Sequence, residues 1–334
     1  MIVAILGAGS WGTALATVVQ SADEIRLWSR DAEVVQSISN SRENRRYLPG
    51  VLLGAPISAT TDLACAIADS DAVVFAVPSS GMATTAAAAA AFITDSTVLI
   101  TAAKGLDQET GARMSEVIRT TLMERHRCSL PIAALSGPNL APEVARHLPT
   151  ATVAASPSEV AVDMCRRLWM GPSLRVYGSQ DITGVELAGA MKNVVAIGAG
   201  ICEGMGYGDN SRAALMTRGL AEITRLGVAF GADPLTFLGL AGVGDLIATC
   251  GSHLSRNYRV GMGLGQGRPL YEIIAELDQV AEGVPTTKAI CGLAERAGIE
   301  MPVSRSIYAI LFEGAPVDRT LDALMTRPPR NEAS

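Results

Sequence analysis

This chain has little of what metal centres and disulfide frameworks are built from. It holds three histidines in 334 residues, and its six cysteines (Cys65, Cys128, Cys165, Cys202, Cys250 and Cys291) are scattered without a C-x-x-C pair or a metal-ligand spacing. No metal site is expected. Most of the cysteines sit in apolar segments, which fits buried thiols in a reducing compartment. An excess of positive charge is also missing: 27 Lys and Arg against 33 Asp and Glu leave a net charge of −6. That balance argues against a nucleic-acid or anionic-membrane surface, so any anionic ligand must be held by a local cluster of cations. No run of about 18 uninterrupted apolar residues occurs, and no membrane span is expected. The opening MIVAILGAGS enters a strand pattern at once, without a basic leader or a cleavage site. The expected location is therefore the cytoplasm.

What is present is an ordinary globular composition, 49% hydrophobic, in a chain long enough for two domains with separate cores. Up to about residue 178, short apolar runs alternate with helical stretches. The strand candidates are 2–6, 24–28, 72–77, 97–102, 131–135, 150–155 and 174–177, with helical patterns at 11–20, 80–92, 110–126 and 157–169. Unalternating apolar strands separated by helices predict an α/β unit, a mostly parallel sheet of Rossmann type covered on both faces. Beyond about residue 180 the strand runs vanish. Segments 182–202, 210–230, 255–264, 282–297 and 303–312 read as helices, punctuated by glycine- and proline-rich stretches such as GMGYGDN, GLAGVGD and EGVP. The expected division is a sheet domain over 1–180 and an all-helical domain over 181–334.

The first strand candidate runs directly into GAGSWG, which sets Gly7, Gly9 and Gly12 on a G-x-G-x-x-G spacing before a helical pattern. Placement gives that spacing its weight. The first glycine permits a tight turn, the second lets backbone approach a pyrophosphate, and the third allows close packing of helix on sheet. N–H groups at the helix start then meet phosphate oxygens. NAD-selective sites put Asp or Glu at the end of the second strand, on the ribose 2′-OH. Here that place holds Ser29 and Arg30, so Arg30 is a candidate to stack on adenine and pair with a 2′-phosphate. NADP is expected to be accepted as well as NAD. The competing reading leaves Arg30 solvated and gives the ribose to Asp31. Polar signals follow three further strand candidates, in AVPSS, AAKGL and LSGPN, on the side where open α/β sheets bind ligands. Lys104 is thereby aimed at the nicotinamide end of the crevice.

Residues 184–202, GVELAGAMKNVVAIGAGIC, read as a helix that is apolar nearly all round and belongs inside a protein. Lys192, followed by Asn193, is the anomaly in it. A buried ammonium is costly unless it is paired or its pKa falls; the alternative is a stem that snorkels its charge to the surface. Gly189 and Ala196, three before and four after, keep the neighbouring helix face narrow enough for a small substrate. Downstream, Ser255-Arg256-Asn257 offers a hydroxyl, a guanidinium and an amide at a predicted helix start. Taken alone, that run is either an anion site or an N-cap beside a surface arginine.

The blocks GAGSWGTALA, AAKGLDQETG, SGPNLAPEVA, ELAGAMKNVVAIGAGICEGMGYGDNSRAAL, GLAGVGDLIATC, SRNYRVGMGLGQG and AEGVPTTK occur in this order. Together they resemble NAD(P)-dependent sn-glycerol-3-phosphate dehydrogenase of the soluble bacterial type over nearly the whole chain. The resemblance implies a dinucleotide-binding domain with a helical substrate domain, paired as a homodimer. It implies hydride transfer between NADP or NAD and a phosphorylated small molecule, interconverting dihydroxyacetone phosphate and sn-glycerol 3-phosphate for phospholipid synthesis. Carried over by motif, it makes Lys192 the catalytic proton donor and acceptor and sets Lys104, Gly137, Asn139, Asp245, Ser255, Arg256 and Asn257 around the substrate. Ser10, Trp11, Arg30, Lys104, Ala141, Arg256, Val280 and Glu282 fall on cofactor positions. Many bacterial members have Thr-Phe where this chain has Asn139-Leu140, which puts the geometry of that contact in question. Ketone reduction also needs a proton at oxygen, which a desolvated lysine near Lys104 would be expected to supply. Asp245 is placed to orient that lysine or to bind a substrate hydroxyl. Two rivals stand beside this reading: a two-domain dehydrogenase of a β-hydroxy acid or ketopantoate-like substrate, and a dinucleotide sensor without catalysis.

Overall fold

The structure, a computed structural model, describes residues 1–123, 130–326 and 328. Residues 124–126 of the helix expected over 110–126, and Cys128, lie outside the described residues. Eight strands form one sheet: β1 (Ile2–Leu6), β2 (Glu24–Trp28), β3 (Ile57–Thr60), β4 (Ala72–Phe75), β5 (Val98–Thr101), β6 (Ile132–Ser136), β7 (Thr150–Ala155) and β8 (Leu174–Ser179). Their spatial order is β3-β2-β1-β4-β5-β6-β7-β8. The first six are parallel, β7 runs antiparallel to β6, and β8 runs parallel to β7. Helices α1 (Ser10–Thr17), α2 (Ala32–Ser41), α3 (Leu63–Ile67), α4 (Met82–Ala89), α5 (Met114–Met123), α6 (Ala141–Ala145) and α7 (Glu159–Trp169) connect the strands.

The central strands β1, β4, β5 and β6 are almost wholly apolar because both of their faces are covered. Val3, Ile5, Val74 and Ile100 pack into one layer of core, while Ala4, Leu6, Val73 and Phe75 pack into another. Strand order reverses between β1 and β4, where Ile5 pairs with Val74. The carboxyl ends of strands on either side of that reversal open the crevice in which such sheets bind ligands.

After β8 come α8 (Ile182–Gly204), α9 (Asp209–Ala229), α10 (Asp245–Cys250), α11 (Arg256–Gly265), α12 (Leu270–Ala275), α13 (Gly283–Ala297), α14 (Pro302–Phe312) and α15 (Val317–Met325). GLAGVGD is not the loop that its glycines indicate. Leu240–Gly244 forms a π-helical turn that runs straight into α10.

By length and composition α8 could cross a bilayer, but its most apolar stretch is wholly buried within the protein. It is the axis on which α9, α10, α11, α13 and α14 pack. Against α11 the two backbones touch. A Cβ on Gly200 would lie 2.0 Å from the Tyr258 carbonyl oxygen, and one on Gly261 1.9 Å from that of Ile197. This approach carries the start of α11 to the middle of α8. Among the described cysteines Cys165, Cys202 and Cys250 are buried, whereas Cys65 is exposed. Burial pushes the Cys165 and Cys250 thiols up to about 12, so neither is a thiolate at neutral pH.

Candidate active site

At the end of β1 the chain turns through Gly7, whose φ of 119° lies in the left-handed region that favours glycine. A Cβ on Gly12 would sit 2.0 Å from the Gly7 carbonyl oxygen, whereas one on Gly9 would meet nothing within 4 Å. Gly12 therefore closes the helix onto the strand, and Gly9 leaves room above it. No side chain caps α1, so its first-turn N–H groups have no capping partner, and the buried Trp11 indole Nε1 has none either. An open backbone cradle with orphaned donors at a helix start fits a dinucleotide pyrophosphate. Buried Asn44 braces the loop by donating to the Ala8 carbonyl and to Thr13 Oγ1, both at 2.8 Å.

Arg30 is exposed just beyond β2. The neighbouring Asp31 carboxylate accepts from the Glu33 and Val34 N–H groups and pairs with Arg46 at 2.6 Å. A carboxylate already engaged on both oxygens is poorly free to take a ribose hydroxyl. Arg46 brings a second guanidinium to this corner, which the sequence motifs do not single out.

Where the sheet meets the helical half, one carboxylate holds two ammonium groups. Lys104 Nζ, beyond β5, donates to Asp245 Oδ2 at 2.6 Å and to the Gly137 carbonyl at 2.7 Å. Lys192 Nζ, from the middle of α8, donates to Asp245 Oδ1 at 2.7 Å and to Thr249 Oγ1. Lys192 is thus no snorkelling side chain: it is buried and paired, and Asp245 is only 1% exposed. Each ammonium has three N–H groups and spends two on these partners, which leaves one apiece. Burial pushes Lys104 down to about 8; Asp245 opposes that shift and Lys192 adds to it. Two cations against one anion leave the cluster net positive.

A second line of hydrogen bonds backs the first. Asn193 Nδ2 donates to the Lys104 carbonyl at 3.1 Å, Asn257 Nδ2 donates to Asn193 Oδ1 at 2.9 Å, and the Gly283 N–H donates to Asn257 Oδ1 at 2.8 Å. Ser255 is the N-cap of α11, accepting from the Tyr258 N–H. Of the run Ser255-Arg256-Asn257, Ser255 and Asn257 are tied into the protein by these contacts, while the arginine spends one of its five N–H donors. Its guanidinium donates to Gln279 Oε1 at 3.0 Å, and Ser10 Oγ donates to the same oxygen at 2.9 Å. Gln279 therefore joins the glycine-rich loop to α11. Burial lowers the Arg256 pKa while Glu282 raises it, and a guanidinium stays charged in either case. Glu282 accepts from the Ser79 N–H and hydroxyl beyond β4.

Some expected residues stand apart from this cluster. Both polar ends of the Asn139 amide turn into the protein, to the Ala151 carbonyl at 3.0 Å and to Thr152 Oγ1 at 2.9 Å. Its observed contacts pin the loop after β6 to β7. Ala141 packs with Trp11 against Ala14, Leu48 and Ala145, and Val280 is exposed. Like Arg46, Thr249 and Gln279 are residues that sequence reasoning missed. Asp245 and Thr249 are four apart on one helix face, a signal visible only if DLIATC is read as helical.

Comparison with known proteins identifies the family. Family models described as NAD-dependent glycerol-3-phosphate dehydrogenase N-terminus and C-terminus match residues 2–162 and 181–322. Glycerol-3-phosphate dehydrogenase [NAD(P)+] of Pelotomaculum thermopropionicum is 45% identical, with 99% of this chain and 94% of the relative covered. The protein of that name from Thermoanaerobacter sp. is 46% identical over 99% of both chains. A crystal structure of glycerol-3-phosphate dehydrogenase from Coxiella burnetii superposes with a TM-score of 0.92 at 38% identity, covering 98% of this chain and 99% of the other. The chain belongs to the NAD(P)-dependent glycerol-3-phosphate dehydrogenase family.

Proposed function

We propose that this protein interconverts dihydroxyacetone phosphate and sn-glycerol 3-phosphate with NADP(H) or NAD(H), in the cytoplasm, as a homodimer, and so supplies a glycerophospholipid precursor. The observation that carries the reading is Asp245 holding Lys104 and Lys192 at the carboxyl end of the sheet, beside a glycine-rich cradle. The bound nicotinamide supplies or accepts the hydride. In the reducing direction Lys192 gives its proton to the carbonyl oxygen, and its ammonium stabilises the charge that develops there. Asp245 orients both lysines, and Lys104 adds positive charge to the substrate pocket. Arg256 takes the phosphate, as an acidic protein needs a fixed cation to do. Residues 1–180 hold the cofactor in this scheme, and 181–334 supply most substrate groups.

Family membership disfavours a β-hydroxy acid or ketopantoate-like substrate, which would have no need of the arginine run. The test is initial rates with dihydroxyacetone phosphate and NADH or NADPH, beside a panel of 2-keto and β-keto acids. Turnover confined to the acids would overturn the reading.

A further inference from the structure

Glu186 is a buried carboxylate that the proposed mechanism does not use. It stands on α8 in one stripe with Gly189 and Asn193, three and then four residues apart, on the face turned to the sheet domain. Asn193 holds the Lys104 carbonyl. Gly189 lets the segment come close: a Cβ there would lie 2.5 Å from Ser136 Oγ and 3.7 Å from Lys104 Cγ. Glu186 accepts from the Ser115 N–H at 2.8 Å, from the Ser115 hydroxyl, and from Arg113 Nη1 at 2.8 Å. The stretch from Lys104 to Ser115 is therefore fastened to α8 at both ends. Between the two fastenings it is closed on itself, because Leu106 bridges Arg113 and the Asp107 N–H donates to the Ala112 carbonyl. A shift at Arg113 and Ser115 is thus passed back to the backbone that carries Lys104.

A buried ion pair is a weak source of stability, since desolvation offsets most of its attraction, and its attested use is to fix register. We propose that Glu186 is a positioning residue for the reaction: by holding Arg113 and Ser115 it sets Lys104 against α8, and with it the spacing of the two lysines on Asp245. The inference rests on the functional reading above only in taking turnover as its readout.

The test uses Glu186→Gln in the full chain, which keeps the shape but opposes an amide to the Arg113 guanidinium. A misplacement of Lys104 near 1 Å is expected to lower kcat with dihydroxyacetone phosphate by about tenfold or more. NADH affinity, read by fluorescence titration, should stay within about twofold because the glycine-rich loop is untouched. Combining it with Lys104→Ala separates positioning from a merely structural role. If Glu186 acts through Lys104, the double variant is no slower than Lys104→Ala alone; multiplying losses overturn the proposal. Should Glu186→Gln fail to fold, Ser115→Ala decides. It removes one hydroxyl, and a fall in kcat of about two- to tenfold is expected. Folded variants with unchanged kcat and a lowered melting temperature would make Glu186 structural only. Absence of turnover in the unsubstituted chain would instead sink the functional reading.

Discussion

Inside an apolar helix, Asp245 and Thr249 give Lys192 the hydrogen bonds that water would otherwise supply. With two N–H groups so engaged, the third is the proton that a carbonyl oxygen can take. Lys192→Ala should therefore lower kcat by about 10²–10⁴-fold while cofactor affinity persists. Near-normal turnover in that variant would remove Lys192 from the mechanism. That Lys192 is no ordinary core residue was legible in the sequence, since a lysine in a run of small apolar residues breaks the pattern around it, and the structure shows it buried and paired. Of its partners, Asp245 was legible as one of two readings, whereas Thr249, 57 residues away, was marked by nothing local to either residue. Arg30 makes a second residue-scale prediction. Because Asp31 is spent on the α2 cap and on Arg46, a 2′-phosphate here meets Arg30 and Arg46 rather than an unengaged Asp31. Arg30→Ala is expected to weaken NADPH binding far more than NADH binding, as titrations of each would measure. Equal loss for both would leave adenine stacking alone, and no loss would make Arg30 a solvated side chain.

At the scale of elements, seven of the eight strands were legible as mainly apolar runs set between helical patterns, the central ones buried on both faces. β3 was not. It is an edge strand of four residues, ISAT, with two polar side chains, so it has neither an apolar run nor clean alternation. The π turn and α10 were hidden for the opposite reason, as glycines that usually break helices here allow the backbone to pass close to other atoms. A Cβ on Gly242 would lie 2.1 Å from the Phe237 carbonyl oxygen. The same logic governs the pairing of α8 with α11, which brings Asn257 to Asn193. Gly261→Ala puts a methyl group where the α8 backbone now lies, so the helices must part. The expected cost is about 1–3 kcal/mol of stability, read from denaturant melts. The variant should also raise KM for dihydroxyacetone phosphate, because Arg256 moves with the helix. Unchanged stability and KM would show that the two helices part without consequence.

Over the whole molecule, the site is made only when the two halves meet. Ser10 and Arg256 reach the single Oε1 atom of Gln279 from 269 and 23 residues away, a convergence that no local pattern can announce. The protein is net acidic, at −6, so the proposed phosphate site relies on fixed cations at this junction. A contact on the phosphate is remote from the reacting carbon, yet its binding energy also holds that carbon in place for hydride transfer. Arg256→Ala should therefore raise KM for dihydroxyacetone phosphate, lower kcat as well, and cost about ten- to hundredfold in kcat/KM. Unphosphorylated dihydroxyacetone cannot use the arginine and is expected to be affected much less. Since Arg256 also reaches the glycine-rich loop through Gln279, NAD(P)H affinity must be titrated separately in the same variant. Equal damage with both substrates, at intact cofactor affinity, would remove Arg256 from the phosphate and leave it as a strut between the halves.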